Sequence, residues 1–206
     1  ACGSDEPAAE DTTAPAEVAP AEVAPADTEV ADTEVVDTEV PATMGDPDTD
    51  YTGSYALADE EFGTMTTVTV ADGHRTIVSN ALPDHEVGEF PNPGNPNTIS
   101  EQNVSYEYPA DPVYVGSATN AMTPGVAVNG LKFEPATAET VTCESGETFR
   151  VEALQDIYDL GLDFNNAHVQ PTGEYHYHGI SELLANAYST DNDLVHVGFA
   201  ADGFFM

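Results

Sequence analysis

The chain has 206 residues, with 38 Asp and Glu against 3 Lys and Arg and a formal net charge of -35. So few cations exclude the clustered Lys and Arg that neutralise nucleic-acid phosphates and the polybasic segments that dock on anionic membranes. On charge alone the expected partners are cations, and self-repulsion at this level suits a saline or calcium-containing setting that screens it.

The sequence opens Ala1-Cys2-Gly3-Ser4-Asp5-Glu6, a small residue before a Cys, which resembles the end of a bacterial lipoprotein signal. That resemblance implies lipidation at Cys2 and an exported lipoprotein of the outer membrane, periplasm or cell surface, touching the membrane only through its anchor. There is no run of 18 or more apolar residues to form a spanning helix. With Cys2 lipidated, Cys143 has no disulfide partner. A Cys2–Cys143 bond is the alternative in an exported protein, but a cysteine ahead of a long flexible segment is a poor staple.

Residues 14–40 read APAEV, APAEV, APADTEV, ADTEV, VDTEV. Prolines at Pro15, Pro20 and Pro25 break helices, like charges repel, and no aromatic residue is present to close a core, so residues 1–50 are expected to be a disordered acidic tether. This segment holds 15 of the acids and no base, which leaves 23 acids with Arg75, Lys132 and Arg150 for residues 51–206. Asp46-Pro47-Asp48-Thr49-Asp50 alternates carboxylates like a calcium loop, but Tyr51 and Leu57 stand where an EF-hand needs Gly and Glu. It is read as the end of the linker.

Residues 51–206 are expected to form one β-rich (mainly β, α+β) domain. TMTTVTV over 64–70, RTIVS over 75–79 and VSYEY over 104–108 are β-branched or alternate as half-buried strands do. FPNPGNPN over 90–97 is a loop of fixed turns. GVAVN over 125–129, followed by Gly130 and 131–133, predicts a hairpin closed by Asn129-Gly130. Two short helices are predicted: 149–160, with Val151, Leu154, Ile157 and Tyr158 at helical spacing before Gly161, and 181–188, with Ser181 as N-cap.

Three of the six His fall between positions 168 and 178. If Glu174 to His178 is extended, period two puts His176 and His178 on one face and Tyr175 and Tyr177 on the other. Pro171-Thr172-Gly173 can turn the chain so that His168 approaches the pair. Three neutral imidazoles suit zinc or copper better than calcium, with a fourth position open to water or a carboxylate. The same residues also suit a metal-free His–Tyr cluster that stiffens a core. Glu174 shares the His face and is the one candidate general base. No Gly-x-Ser-x-Gly, HExxH or phosphate-cradling Gly-rich loop occurs. Cys143 lies beside Glu144, which disfavours a thiolate.

Tyr175-His176-Tyr177-His178 resembles the signature of the YHYH domain family. SNALPDHEVG over 79–88 is similar to its Asn-x-x-Pro-x-His segment, and residues 90–97 to the Asn/Pro loop that follows. GVAVNGLKFEP over 125–135 and VGFAADGF over 197–204 are similar to its Gly-Val and Ala-x-Asp-Gly elements. The resemblance covers about residues 75–206. It departs at Phe204-Phe205-Met206, where the family pattern runs Phe-Pro-Ile-Tyr-Gly, and the domain is expected to continue past the last residue. It implies a soluble exported domain and no particular reaction, and it brings in His85 and Asp202 as further members of the His site. His85, flanked by Asp84 and Glu86, also reads as a solvated loop residue, and Asp202 as half of an Asp-Gly turn. His74 lies in a turn, and His196 reads as a core histidine or as support for a metal-bound one.

Three functions follow. One is a metal-binding domain using His168, His176 and His178, with His85 and Asp202 added. A second is a zinc-dependent hydrolase with Glu174 as base. The third is a metal-free interaction or adhesion module, its protein or glycan partner open.

Overall fold

Alternation of buried and exposed residues builds the first sheet. The structure, a computed structural model, describes residues 45–46, 48–155, 158–189 and 194–206. The expected anchor at Cys2 and the repeat over 14–40 lie outside the described residues. Strands β1 (Tyr55–Ala58), β2 (Met65–Ala71), β3 (His74–Ser79) and β4 (Val104–Pro109) form an antiparallel meander in that order. In β2, Thr66 and Val68 point inward between the exposed Met65, Thr67 and Thr69; in β3, Arg75, Ile77 and Ser79 do the same. The loop from β3 to β4 carries the Asn/Pro segment, with a cis Phe90–Pro91 bond and a bridge between Asn92 and Asn95.

A second sheet carries the candidate site. Strands β5 (Gly125–Ala127) and β6 (Lys132–Phe133) make the predicted hairpin. A two-stranded ribbon follows, β7 (Ala136–Thr142) with β8 (Thr148–Glu152), and then β9 (Ala167–Val169) and β10 (Tyr175–Tyr177). The helix α1 (Glu182–Ala187) precedes β11 (Gly198–Ala200). The strand order is β11-β5-β6-β10-β9, antiparallel except where β10 runs parallel to β6, with Tyr177 opposite Phe133. The end of the chain adds to β11, where the Val197 N–H donates to Met206 O and the Met206 N–H to Gly198 O.

One apolar cluster joins the two sheets, with Tyr55, Val68, Ile77 and Tyr108 on one side and Val126, Leu131, Tyr177 and Phe199 on the other. The β5–β6 turn is tucked into the first sheet. Thr66 Oγ1 donates to Asn129 O at 2.7 Å, and Tyr55 OH to Val128 O at 2.7 Å. Gly130 has φ +88, and a Cβ there would strike Ser79 Oγ and Thr66 Oγ1, so this position requires Gly.

The expected pair of helices reduces to one. Ser181 caps α1 by accepting from Leu184 N at 3.2 Å, as predicted. The segment predicted as helix over 149–160 instead begins as β8, with Ile157 outside the described residues. Val151 and Leu154 stand at helical spacing, but pairing with β7 makes 148–152 a strand: Val141 lies opposite Phe149 and Thr140 opposite Arg150. No helix among the described residues is long and apolar enough to cross a membrane. At the start of the described chain, the Gly45 N–H donates to Ala187 O at 2.9 Å, so residues read as linker touch α1.

Candidate metal centre

Strands β9 and β10 pair antiparallel with His168 directly opposite His176, so the two rings share one face of the sheet. The Gly173 turn closes the hairpin through Gly173 N to Gln170 O at 2.8 Å. His178 follows β10 on the same face, held by its N–H to Asn166 O at 2.7 Å. The three ring centroids are 4.5 to 4.8 Å apart. One nitrogen from each ring lies within 4.8 Å of the other two.

Backbone carbonyls set which nitrogens face inward. His168 Nδ1 is 2.8 Å from Leu160 O, and His176 Nδ1 is 3.3 Å from Glu174 O. Only an N–H satisfies a carbonyl, so each Nδ1 carries the proton and each Nε2 presents a lone pair. His178 Nε2 stands 3.0 Å from His168 Nε2, and the Pro135 backbone is a hydrogen-bond partner of the His178 ring. Tetrahedral zinc with ligand distances of about 2.0–2.1 Å separates its nitrogens by about 3.3 Å, so small ring movements would close the site. Burial, then the neighbouring His178 and His168, lowers the pKa of His176 to about 2; burial, then His168, lowers that of His178 to about 4. Both are therefore neutral near pH 7, the form that binds a metal.

The Asn/Pro loop supports the His168 strand from behind. Asn95 and Asn97 both donate from Nδ2 to Val169 O, at 2.9 and 2.7 Å. Asn92 Nδ2 donates to Gly161 O at 3.1 Å, beside the Leu160 carbonyl that orients His168. Gly161 has φ +64, and a Cβ would run into Asn92 and Asn95.

The opposite face of β10 is a closed polar network. His85 Nδ1–H meets Glu86 O at 2.8 Å, so His85 Nε2 accepts from Tyr177 OH at 2.5 Å. Asn129 Nδ2 reaches Tyr177 OH at 3.0 Å and Asp84 Oδ1 at 2.8 Å, and Tyr188 OH donates to Asp84 Oδ2. Tyr175 OH donates to Asp163 Oδ2 at 2.8 Å. Burial raises the pKa of Tyr175, Tyr177 and Tyr188 well above the ordinary value, so all three act as neutral donors.

The structure thus brings together His168, His176 and His178 but neither His85 nor Asp202. His85 lies on the tyrosine face, 5.9 Å from Tyr177 between ring centroids. Asp202 is exposed in the turn that joins Ala200 to Phe204, its Oδ1 accepting from Phe204 N at 3.4 Å. Glu174 turns to Lys132, with Oε2 3.2 Å from Nζ, and the same ammonium lies 2.7 Å from Glu134. Its carboxylate is engaged by a cation rather than poised as a base. His196 Nε2 meets Gly198 O at 2.9 Å and its ring packs edge-on against Phe199 and Phe205. Cys143 is disulfide-bonded, which corrects the expectation of an unpartnered thiol. Sequence reasoning missed Asn95 and Asn97, because their carbonyl partner lies more than 70 positions away.

A β-rich domain with three clustered imidazoles, two buried and one half-buried, on a Tyr-His-Tyr-His strand and its neighbour is the class defined by this geometry. Residues 105–206 match the sequence profile of the YHYH protein family, and that part of the chain belongs to it. The match takes in the His cluster and leaves β1 to β3, with His85, ahead of it. No curated protein and no solved structure matches the chain.

Proposed function

We propose that this domain binds a transition-metal ion, zinc or copper, through His168, His176 and His178, and that it works outside the cytoplasm in metal handling or as a metal-stabilised fold. The observation that carries the reading is the convergence of three imidazole nitrogens within 4.8 Å, two of them fixed as lone pairs by carbonyls on the far side of their rings. Nitrogen-only donors favour these metals over calcium. The disulfide at Cys143 supports an exported setting, because disulfides persist in oxidising compartments. Cys2 is the other cysteine of the chain, so within one chain a disulfide at Cys143 and a lipid on the Cys2 thiol exclude each other, and intact mass before and after reduction reads which is present.

The test is the metal content of natively purified protein by elemental mass spectrometry, beside His176→Ala/His178→Ala, with melting before and after chelation. About one zinc or copper per chain, lost in the variant, supports the reading. Metal-free protein that ignores both chelator and added metal sinks it.

The second reading, a metal-free structural cluster in an interaction module, is favoured by the 3.0 Å approach of His178 Nε2 to His168 Nε2, which a single shared proton also explains. A hydrolase using Glu174 as base has less support, since Lys132 holds that carboxylate.

A further inference from the structure

A cavity of about 560 Å³ opens beside the three imidazoles, and Arg150 lines it with Leu160, Val169, Met122 and Glu139. A bound ion and one water need far less room, since a water takes about 30 Å³ of liquid volume. The exposed wall area is mostly apolar, yet one of the three Lys and Arg of the whole chain, Arg150, lines it, and a second, Lys132, pairs with Glu134 of its wall. Lys132 is spent on Glu134 and Glu174, at 2.7 and 3.2 Å. Glu134 is further engaged by Gln170 Nε2 at 2.6 Å. Arg150 makes no ion pair among the described residues. Its Nη1 donates to Thr137 O at 2.6 Å, which steadies the guanidinium and leaves its other donors unspent.

With a divalent ion on the three imidazoles, the ion and the Arg150 guanidinium would be the two cationic groups facing the cavity that no carboxylate of an ion pair holds, since Lys132 is taken by Glu134 and Glu174. A bound ion and a guanidinium outside any ion pair, facing one cavity, are complementary to an anion rather than to a second cation. The apolar walls select an organic anion over inorganic phosphate. We infer that the metal-loaded cavity binds a small monocarboxylate between the metal and the Arg150 guanidinium. This rests on the metal reading above. Arg150 is the specificity-determining residue, because a guanidinium presents paired donors that match a carboxylate.

The test uses cobalt(II)-loaded protein, whose visible absorption reports a change of metal ligand, titrated with acetate and then butyrate. Butyrate is expected to bind more tightly than acetate, and Arg150→Gln to weaken both by about tenfold while cobalt affinity stays unchanged. Arg150→Lys, which keeps the charge and loses the fork, is expected to fall between. Cobalt uptake with no spectral response to either carboxylate overturns this inference alone. So does equal affinity in Arg150→Gln, or equal binding to metal-free protein by calorimetry. Failure to take up cobalt overturns the metal reading and this inference with it.

Discussion

The two faces of β10 hold the same residue types in different states. On the tyrosine face, His85, Tyr177, Asn129, Asp84 and Tyr188 form a hydrogen-bonded chain in which each of these donors meets an acceptor. On the histidine face, His178 Nε2 and His168 Nε2 stand 3.0 Å apart, close enough to share a single proton. Buried polar groups in native proteins are satisfied unless something further is expected at the site. Hydrogen bonding alone completes the first face, while the second is the proposed cation site. One strand thus carries a structural network on one face and the proposed ligands on the other, because its period of two separates the two sets of side chains.

The comparison breaks most readily at Tyr177. Tyr177→Ala removes a fully buried ring and strands Asn129 and His85, and should cost about 4 kcal/mol of stability, read by urea unfolding. Metal per folded chain should not change; loss of metal at the same time would mean that the faces are coupled. Gly161→Ala forces a side chain into Asn92 and Asn95 and strains a positive φ, for about 3 kcal/mol. Unlike the Tyr177 change, it should also weaken metal binding, through the displaced Leu160 carbonyl. Asn95→Ala should cost about 1–2 kcal/mol and weaken metal binding about tenfold by loosening β9, measured by competition with a chromophoric chelator.

The smallest expected effect lies at His196, away from both faces. Burial lowers its pKa below the ordinary 6.5, with Arg75 adding to the shift and the Gly198 carbonyl and Asp50 opposing it. The unfolded chain then takes up the proton more readily than the folded one, so this contribution to stability is present above pH 6.5 and is lost as pH falls below it. His196→Gln should flatten the melting temperature profile below pH 6.5; an unchanged slope would assign the acid sensitivity elsewhere.

The parts legible in the sequence are those that depend on near neighbours. Alternation gave β2, β3 and β4, Asn129-Gly130 gave the hairpin, and period two placed His176 and His178 together with His168 across the Gly173 turn. What was not legible depends on distant partners. Whether 149–152 is strand or helix turns on β7, and Lys132 meets Glu174 only because β6 lies parallel to β10. His85 looked like a candidate ligand because its motif is polar, but the face on which it lands is set by Tyr177, 92 positions on. The Asn/Pro loop was recognisable as a loop, but its two contacts with Val169 O, which make it the buttress of β9, were not.

The central claim is that one face of β10 binds metal and the other does not. Its most direct test is the zinc dissociation constant of the wild-type chain, His176→Ala and His85→Ala, measured by chelator competition on protein verified as folded. The account predicts that His176→Ala loses at least about 100-fold in affinity, as expected for removal of one of three ligands, while His85→Ala binds zinc like the wild type. Equal zinc affinity in the wild type and His176→Ala, or a loss confined to His85→Ala, would contradict it.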